Sequence, residues 1–474
     1  MMQILNKIWL PGIIYAAFIV FLVYFLLLVA FYIIMAIWGF IEDKKRAYEQ
    51  EEESYPLMYF SNIKIPVSIL LPAHNEEEWV KDSLSSVLNL NYPTFEVIVI
   101  DDGSTDNTFK ILDEMLDLKA IDRVVTKHYQ EGNVKGIFES HKYPNVTVIQ
   151  KESDNKKAGA LNAGLNIAKH RFICAMDSDT VLERDALLWV MAPVHRDPER
   201  IIGIGSCFGL VNGFEVKNGI IMKRNFSYKP VIAYQNLEYI RSFIGNRLAW
   251  SSFNVTPIVA GGFGIWRSDV LYELGGYSSE FSSEDLDFTF RAHEYLAAHK
   301  DKKYKILVMP YYVGWTEGPD NIKALIKQRD RWQRVTNEAI FRYKHMMCNP
   351  KYGSFGFLVF PYFLFYEVLG GFFEMASVFF VTMGWLTGLM DIKTFLVFIA
   401  FMTLVQVLIS LLSLFSFIRG KKTFKTSYVL YLIVLSFFEF FVYRFIISIA
   451  KLFGTYHYFR KVQTHDQFAR SKRG

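Results

Sequence analysis

The chain has 474 residues, 52% of them hydrophobic with 43 Phe and 27 Tyr, and its 52 Lys and Arg against 47 Asp and Glu leave a formal net charge of +5. Such a composition suits a protein partly dissolved in lipid, and the small cationic excess calls for no nucleic acid partner, because several Lys and Arg simply flank hydrophobic runs. Cys174, Cys207 and Cys348 are odd in number, far apart and without a Cys-x-x-Cys spacing, which argues against a disulfide framework or a thiolate zinc site and fits a reducing compartment.

The apolar residues gather at the two ends. The expected organisation is a membrane anchor over 1–45, a globular domain over 46–350, membrane or interfacial helices over 351–460 and a basic tail over 461–474. Trp9 to Ile41 carries no charge and is long enough to cross a hydrocarbon core of roughly 30 Å as a helix. A signal peptide would have a shorter apolar stretch, preceding cations and a small-residue cleavage site, so a retained anchor is expected. The cluster Asp43-Lys44-Lys45-Arg46 then places the start of the globular domain in the cytoplasm.

Val67 to Pro72 is a short aliphatic strand, followed by Ala73 to Glu78 and a helix-like stretch through Leu90. Glu96 to Ile100 is a second buried strand that stops at Asp101-Asp102-Gly103-Ser104. Strand, helix, strand predicts an α/β domain with a parallel sheet, in which ligands bind beyond the carboxyl ends of the strands. Asp101 and Asp102 stand there, where a carboxylate can accept hydrogen bonds from a ribose or a base. A plain turn is the competing reading, with Ser104, Thr105 or Asp106 capping a helix that starts near Thr108. Thr126 to Tyr143, rich in Lys, His and Gly, reads as an insertion without an assignable role.

The segment Lys156 to Gly164 is rich in small residues that permit close backbone approach, and Lys157 can reach a phosphate. Arg171 to Met176 is another strand, ending in Asp177-Ser178-Asp179. Alternation would put both carboxylates on one side, where two hard oxygen ligands can share Mg²⁺ or Mn²⁺ with a diphosphate. Glu284 and Asp285 precede a helix-like stretch; they are either first-turn helix charges or a carboxylate base for a hydroxyl nucleophile. Gln328-Arg329-Asp330-Arg331-Trp332 lies on a helix-like segment before the membrane, where a basic surface helix with Trp332 at the interface is the plain alternative.

Three apolar stretches follow, at about Phe355 to Met390, Lys393 to Ile418 and Tyr428 to Ile449. The loop Arg419 to Lys425 and the tail from Arg460 to Arg473 are both basic, which puts both in the cytoplasm although a single stretch separates them. That stretch, with Glu439 and Arg444, is either an interfacial amphipathic helix or a span whose charges face neighbouring helices. Pro361 and Gly370-Gly371 can likewise break the first stretch. Three or four crossings in all are expected.

These motifs, in this order, resemble the family 2 glycosyltransferases, specifically the membrane-integrated synthases of cellulose, hyaluronan, chitin and poly-N-acetylglucosamine. The likeness spans about Ile65 to Arg334 and rests on Asp101-Asp102, Lys157 to Asn162, Asp177-Ser178-Asp179, Glu284-Asp285 and the Gln-x-x-Arg-Trp pattern at Gln328 to Trp332. It implies a GT-A fold, inversion at the anomeric carbon, a UDP-sugar donor and a divalent metal, Mg²⁺ or Mn²⁺. By the same resemblance Asp101 and Asp102 bind the uridine part, Asp177 and Asp179 handle the metal and diphosphate, and Asp285 beside Glu284 is the base. Gln328 and Trp332 line the acceptor entrance, with Arg331 near the diphosphate. The implied partners are a glycan acceptor, or a lipid acceptor as in some relatives, the lipid bilayer of the plasma membrane, and an accessory export or regulatory subunit, since the tail after Arg460 is too short to fold as a sensor domain.

Overall fold

The computed structural model describes residues 2–52, 65–123, 125, 128–154, 156–388, 390–419 and 424–462. The middle of the basic loop (420–423), the tail from 463 onward and the first two residues of the Lys-, His- and Gly-rich stretch (126–127) lie outside the described residues.

The globular part is built on strands β1 (Val67–Ala73), β2 (Phe95–Asp102), β3 (Leu118–Ile121), β4 (Val134–Ser140), β5 (Val146–Lys151), β6 (Phe172–Met176), β7 (Val181–Leu182), β8 (Ile201–Leu210), β9 (Glu215–Lys217), β10 (Ile220–Lys223), β11 (Phe263–Arg267) and β12 (Lys305–Thr316). Ten of them form one sheet in the order β3-β4-β5-β2-β1-β6-β11-β8-β12-β7. Its centre is parallel: β2 pairs with β1 and β5, and β1 with β6. β11 runs antiparallel to both β6 and β8. The sheet is therefore mixed rather than parallel throughout. Within the Lys-, His- and Gly-rich stretch, Val134–Ser140 pairs antiparallel with β5 and forms part of the sheet.

Alternation along the buried strands divides the core into two layers. Ile69, Leu71, Val97 and Val99 face the helices Val80–Leu88 and Thr108–Leu116. Leu70, Ile98, Ile100 and Ile149 face Lys157–Leu165 and Glu284–Ala298. A slip of one residue in any central strand would exchange the two sets. Each fully buried Leu or Ile contributes about 2 kcal/mol, so the register is strongly held. That register brings Ala73, Asp101 and Lys151 to the same sheet edge, and the reversal at β11 brings the start of that strand, Phe263, opposite Met176 there.

The N-terminal helix runs Met2–Glu52, with an apolar portion over Gly12–Arg46, and the helix Ile392–Arg419 is apolar over Ile392–Ile418; both are long enough to cross a membrane. Two further pairs qualify only jointly: Phe355–Val368 with Gly370–Leu386, bent by 48°, and Thr426–Phe438 with Tyr443–Phe459, bent by 62°. The first bend falls at Leu369, before the glycine pair and not at Pro361, which sits between two π-helical stretches. By length and composition the described residues thus offer two candidate spans, or up to four if each bent pair is one span. Glu439 is fully buried and receives both terminal nitrogens of Arg241, while Arg444, partly exposed, donates to Glu374 at 3.0 Å. Each charge is met by a neighbouring helix, the arrangement that apolar surroundings demand.

Candidate active site

β2 ends in Asp101 and Asp102, both buried. Asp101 Oδ1 accepts the Ser104 backbone N–H at 3.2 Å, while Asp106 Oδ1 accepts the Thr108 N–H at 2.9 Å, so Asp106 satisfies an orphan donor at the start of the next helix and leaves the Asp pair to the sheet edge. Asp102 meets a cation that the sequence reading passed over. Lys151, with no exposed side-chain surface, donates from Nζ to Asp102 Oδ1 at 2.5 Å and to Asp154 Oδ1 at 3.2 Å. Burial raises the Asp102 pKa and Lys151 opposes that rise; burial prevails. The only sequence signal for Lys151 was a Lys closing an apolar strand, at the position opposite Asp102 once β2 and β5 are paired.

Asp177 and Asp179 lie beyond the last residue of β6, in a turn closed by the Thr180 N–H to Asp177 carbonyl bond at 3.2 Å. Strand alternation therefore does not govern their directions. Asp177 Oδ1 accepts from Lys157 Nζ at 2.5 Å, and Asp179 Oδ1 accepts from the Thr316 hydroxyl at 3.4 Å, at the end of β12.

Lys157 joins two motifs that are 107 residues apart in the chain, Asp177 and Glu284. Beside its contact with Asp177, its Nζ lies 2.8 Å from Glu284 Oε1 and donates to the Gly261 carbonyl at 3.3 Å. Burial disfavours the ammonium, yet the two carboxylates hold its pKa well above the usual lysine value. Burial also raises the Glu284 pKa, reinforced by the charges of Asp285 and Asp177 and opposed by Lys157.

Glu284 and Asp285 open the helix Glu284–Ala298, in its first turn. Asp285 Oδ2 accepts the Gly261 N–H at 2.9 Å; its Oδ1 accepts the Leu286 N–H at 2.8 Å and the Ser283 hydroxyl. Both oxygens are thereby oriented. Asp287 turns away into the core, where it receives Arg291 at 2.8 Å and the Tyr343 hydroxyl at 2.5 Å.

Gly261 and Gly262, which the sequence reading also missed, are the hub. A Cβ at residue 261 would lie 3.1 Å from Glu284 Oε1, 3.1 Å from Lys157 Nζ and 3.3 Å from Asp285 Oδ2; one at residue 262 would lie 3.5 Å from Asp177 Oδ2. A side chain at residue 261 would press on all three charged groups and make them give by a few tenths of an ångström, whereas one at residue 262 would be in ordinary contact with Asp177. The run Ala260-Gly261-Gly262 before a strand was visible in the sequence but says nothing alone about which carboxylates will meet it.

Gln328, Arg331 and Trp332 stand on the helix Ile322–Arg342. Gln328 is buried and its Oε1 has no hydrogen-bond partner; Trp332 is 38% exposed, with the Arg329 guanidinium 4.2 Å from its ring centroid. No direct contact between Gln328 or Trp332 and the carboxylates appears among the described residues.

For a divalent cation, Asp177 and Asp179 supply hard oxygen ligands, and no group of three or more His, Cys, Asp or Glu forms a cage among the described residues. That donor set fits Mg²⁺ or Mn²⁺, which keep water and take phosphate oxygens beside one or two carboxylates. Gly262 leaves room beside Asp177 Oδ2.

Comparison with known proteins bears on the whole arrangement. The model of glycosyl transferase family 2 matches residues 68–255, and that of glycosyl transferase family group 2 matches residues 172–446, more than half of the chain. A poly-beta-1,6-N-acetyl-D-glucosamine synthase of Staphylococcus epidermidis is 28% identical over 280 residues, 58% of this chain and 56% of the relative. The match thus spans little more than half the length of that curated relative. A probable glycosyltransferase of Bacillus subtilis, YdaM, is 27% identical over 330 residues, 68% of each chain. Among solved structures, a mannosyltransferase of Pyrobaculum calidifontis in complex with GDP-Man and Mn²⁺ superposes with a TM-score of 0.55 at 15% identity, covering 95% of this chain and 100% of that one. That likeness establishes the GT-A fold. The chain belongs to the family 2 glycosyltransferases.

Proposed function

We propose that the chain is an inverting polysaccharide synthase that transfers sugar from a UDP-sugar to a growing glycan at the cytoplasmic face of the plasma membrane and passes the product through its own membrane helices. The observation that carries the reading is the convergence of Asp177, Lys157, Glu284 and Asp285 on the side-chain-free backbone at Gly261. It supports the reading of Lys157 as a cation for phosphate, Asp177 as a metal ligand and Asp285 as an oriented base, because the three side chains share one small volume.

In this reading Asp102, held by Lys151, and Asp101 take the uridine part at the edge of β1, β2 and β5. Asp177 and Asp179 hold Mg²⁺ or Mn²⁺, which when bound neutralises charge on the departing diphosphate. Lys157 adds a fixed positive charge where negative charge develops. Asp285, oriented by Gly261, Ser283 and Leu286, accepts the proton of the acceptor hydroxyl as its oxygen bonds to the anomeric carbon and the UDP oxygen leaves. Glu284 keeps Lys157 in place. Trp332 offers its exposed face to the apolar C–H side of a pyranose, with Gln328 beside it and Arg331 toward the diphosphate.

The catalytic domain would occupy 46–350, with the basic cluster after the first helix on the cytoplasmic side and the remaining spans in 351–460. The names of the curated relatives make UDP-N-acetylglucosamine the first donor to test. Purified protein is incubated with radiolabelled UDP-sugars and Mg²⁺ or Mn²⁺, and the product is sized. A high-molecular-weight glycan is expected; a single-sugar lipid product would overturn the polymer reading, and no turnover with any UDP-sugar would overturn the donor assignment.

A further inference from the structure

The Gln328–Trp332 segment contains a residue to which the reading above gives no task. Arg329 is almost fully buried, with 6% of its side chain exposed, although it lies between residues at the acceptor entrance. Its two terminal nitrogens donate to the two carboxylate oxygens of Glu238 at 2.9 and 2.8 Å. Glu238 belongs to the helix Pro230–Ile240, separate from the carboxylate cluster. The Tyr443 hydroxyl donates to Glu238 Oε2 at 2.5 Å, and Arg329 Nη2 donates to that hydroxyl at 3.4 Å. Tyr443 is the first residue of the last helix and stacks on Tyr234 at 5.1 Å and 17°.

A two-point Arg–carboxylate contact fixes the plane of the guanidinium as well as its position. Here that plane lies against Trp332, 4.2 Å from the ring centroid. One face of the indole is thereby backed by a cation whose own orientation is set elsewhere, and the ring keeps 38% of its surface exposed. Burying an ion pair for stability alone brings little over an apolar replacement, which makes positional control the better account of this one.

We infer that Glu238 and Tyr443 are positioning residues for the acceptor: they lock Arg329, and Arg329 holds Trp332 in the orientation that receives the terminal sugar of the glycan. The acceptor platform is thus set from the last membrane-proximal helix rather than from the sheet. This rests on the reading of Trp332 as an acceptor residue.

The test compares wild type with Glu238→Gln and Tyr443→Phe in full-length protein, on three readouts: UDP release without acceptor, KM for an oligosaccharide acceptor, and product length. Glu238→Gln should raise the acceptor KM about tenfold, the worth of one well-set cation–π contact, and shorten the product, while acceptor-free UDP release changes less than about twofold. Tyr443→Phe deletes one hydroxyl and keeps the ring on Tyr234; it should move the acceptor KM in the same direction by a smaller factor, so the inference stays testable if Glu238→Gln fails to fold. A loss of acceptor-free UDP release as large as the change in acceptor KM would mark a purely structural pair and overturn the inference, as would an unchanged acceptor KM in a polymer-forming enzyme. A wild-type enzyme that glycosylates only lipid would overturn the polymer reading first and this inference with it.

Discussion

Replacing Lys157 with Met removes one ammonium and retains most of the aliphatic stem. Asp177 and Glu284 lose their shared cation, and the Gly261 carbonyl loses a donor. Breaking a buried ion pair costs about 3–5 kcal/mol and an exposed one less than about 1 kcal/mol. The side chains here keep 26% exposure for Lys157, 15% for Glu284 and 40% for Asp177, so screening by water brings the cost down to about 2 kcal/mol. For a globular part of about 300 residues, with an unfolding entropy of about 0.6 kcal/mol/K, that lowers Tm by about 3 °C. The pH dependence carries a sign. Lys157 has a folded pKa above its unfolded one, so its contribution is fully present below the ordinary lysine range and is lost only as pH rises through the raised value. The part of the deficit that comes from the titration of Lys157 itself should therefore be nearly constant between about pH 7 and pH 9. Glu284 also has a raised pKa, so the stability it contributes is present below the ordinary carboxylate range and is lost as pH rises through the raised value. Without Lys157 that value climbs further, and the loss extends to higher pH. Turnover should fall about 100-fold, as when a preorganised charge is withdrawn from a transition state. Fluorescence-monitored melting in detergent and UDP release measure both effects. A Tm within about one degree of wild type at neutral pH, or unchanged UDP release, would refute the argument.

Asp285→Asn should cut glycan synthesis by about 10³-fold or more through loss of the base, and Asp179→Ala should act similarly through the diphosphate; the Asn amide also loses one accepted backbone hydrogen bond, a cost of about 1 kcal/mol that is far too small to account for the lost activity, which separates chemistry from folding. Lys151→Met strands the buried Asp102 without its cation, with an expected loss of about 3 kcal/mol at neutral pH and weaker UDP binding by calorimetry; because the raised pKa of Asp102 climbs further without Lys151, the stability defect should shrink as pH falls and the carboxyl is neutralised. Glu439→Gln leaves Arg241 with a neutral partner among apolar helices and should lower stability by about 2–3 kcal/mol, whereas a chain in which Glu439 faced water would melt like wild type.

The chemistry-bearing segments were readable because each strand announces its end: an uninterrupted apolar run must stop where a carboxylate begins, and Asp102 and Asp177 sit at such stops. Which carboxylates would meet was not readable. Lys157 reaches Glu284 only because β11 turns back along β6, a pairing between segments about 90 residues apart that no local pattern encodes. Lys151 was hidden for the same reason, since a Lys at a strand terminus looks solvent-exposed until β2 is placed beside it. The alternation argument failed at Asp177 and Asp179 because both lie past the strand, where pleating no longer sets direction. The charges in the last apolar stretch were open to two readings, facing water or facing neighbouring helices, and nothing in the stretch decided between them because their partners Arg241 and Glu374 are distant in sequence and had no mark of their own.

The contact of Lys157 with Asp177 has a thermodynamic consequence. In the resting site Asp177 already has a cation, so a divalent ion arriving alone must compete with an ammonium for that oxygen. A diphosphate arriving alone finds Lys157 occupied by two carboxylates. If Asp177 holds the ion and Lys157 the diphosphate, as proposed above, each would free the partner that the other needs. Metal and nucleotide would then strengthen one another's binding by the same factor, with Lys157 as the place-holder that keeps the acidic site neutralised beforehand.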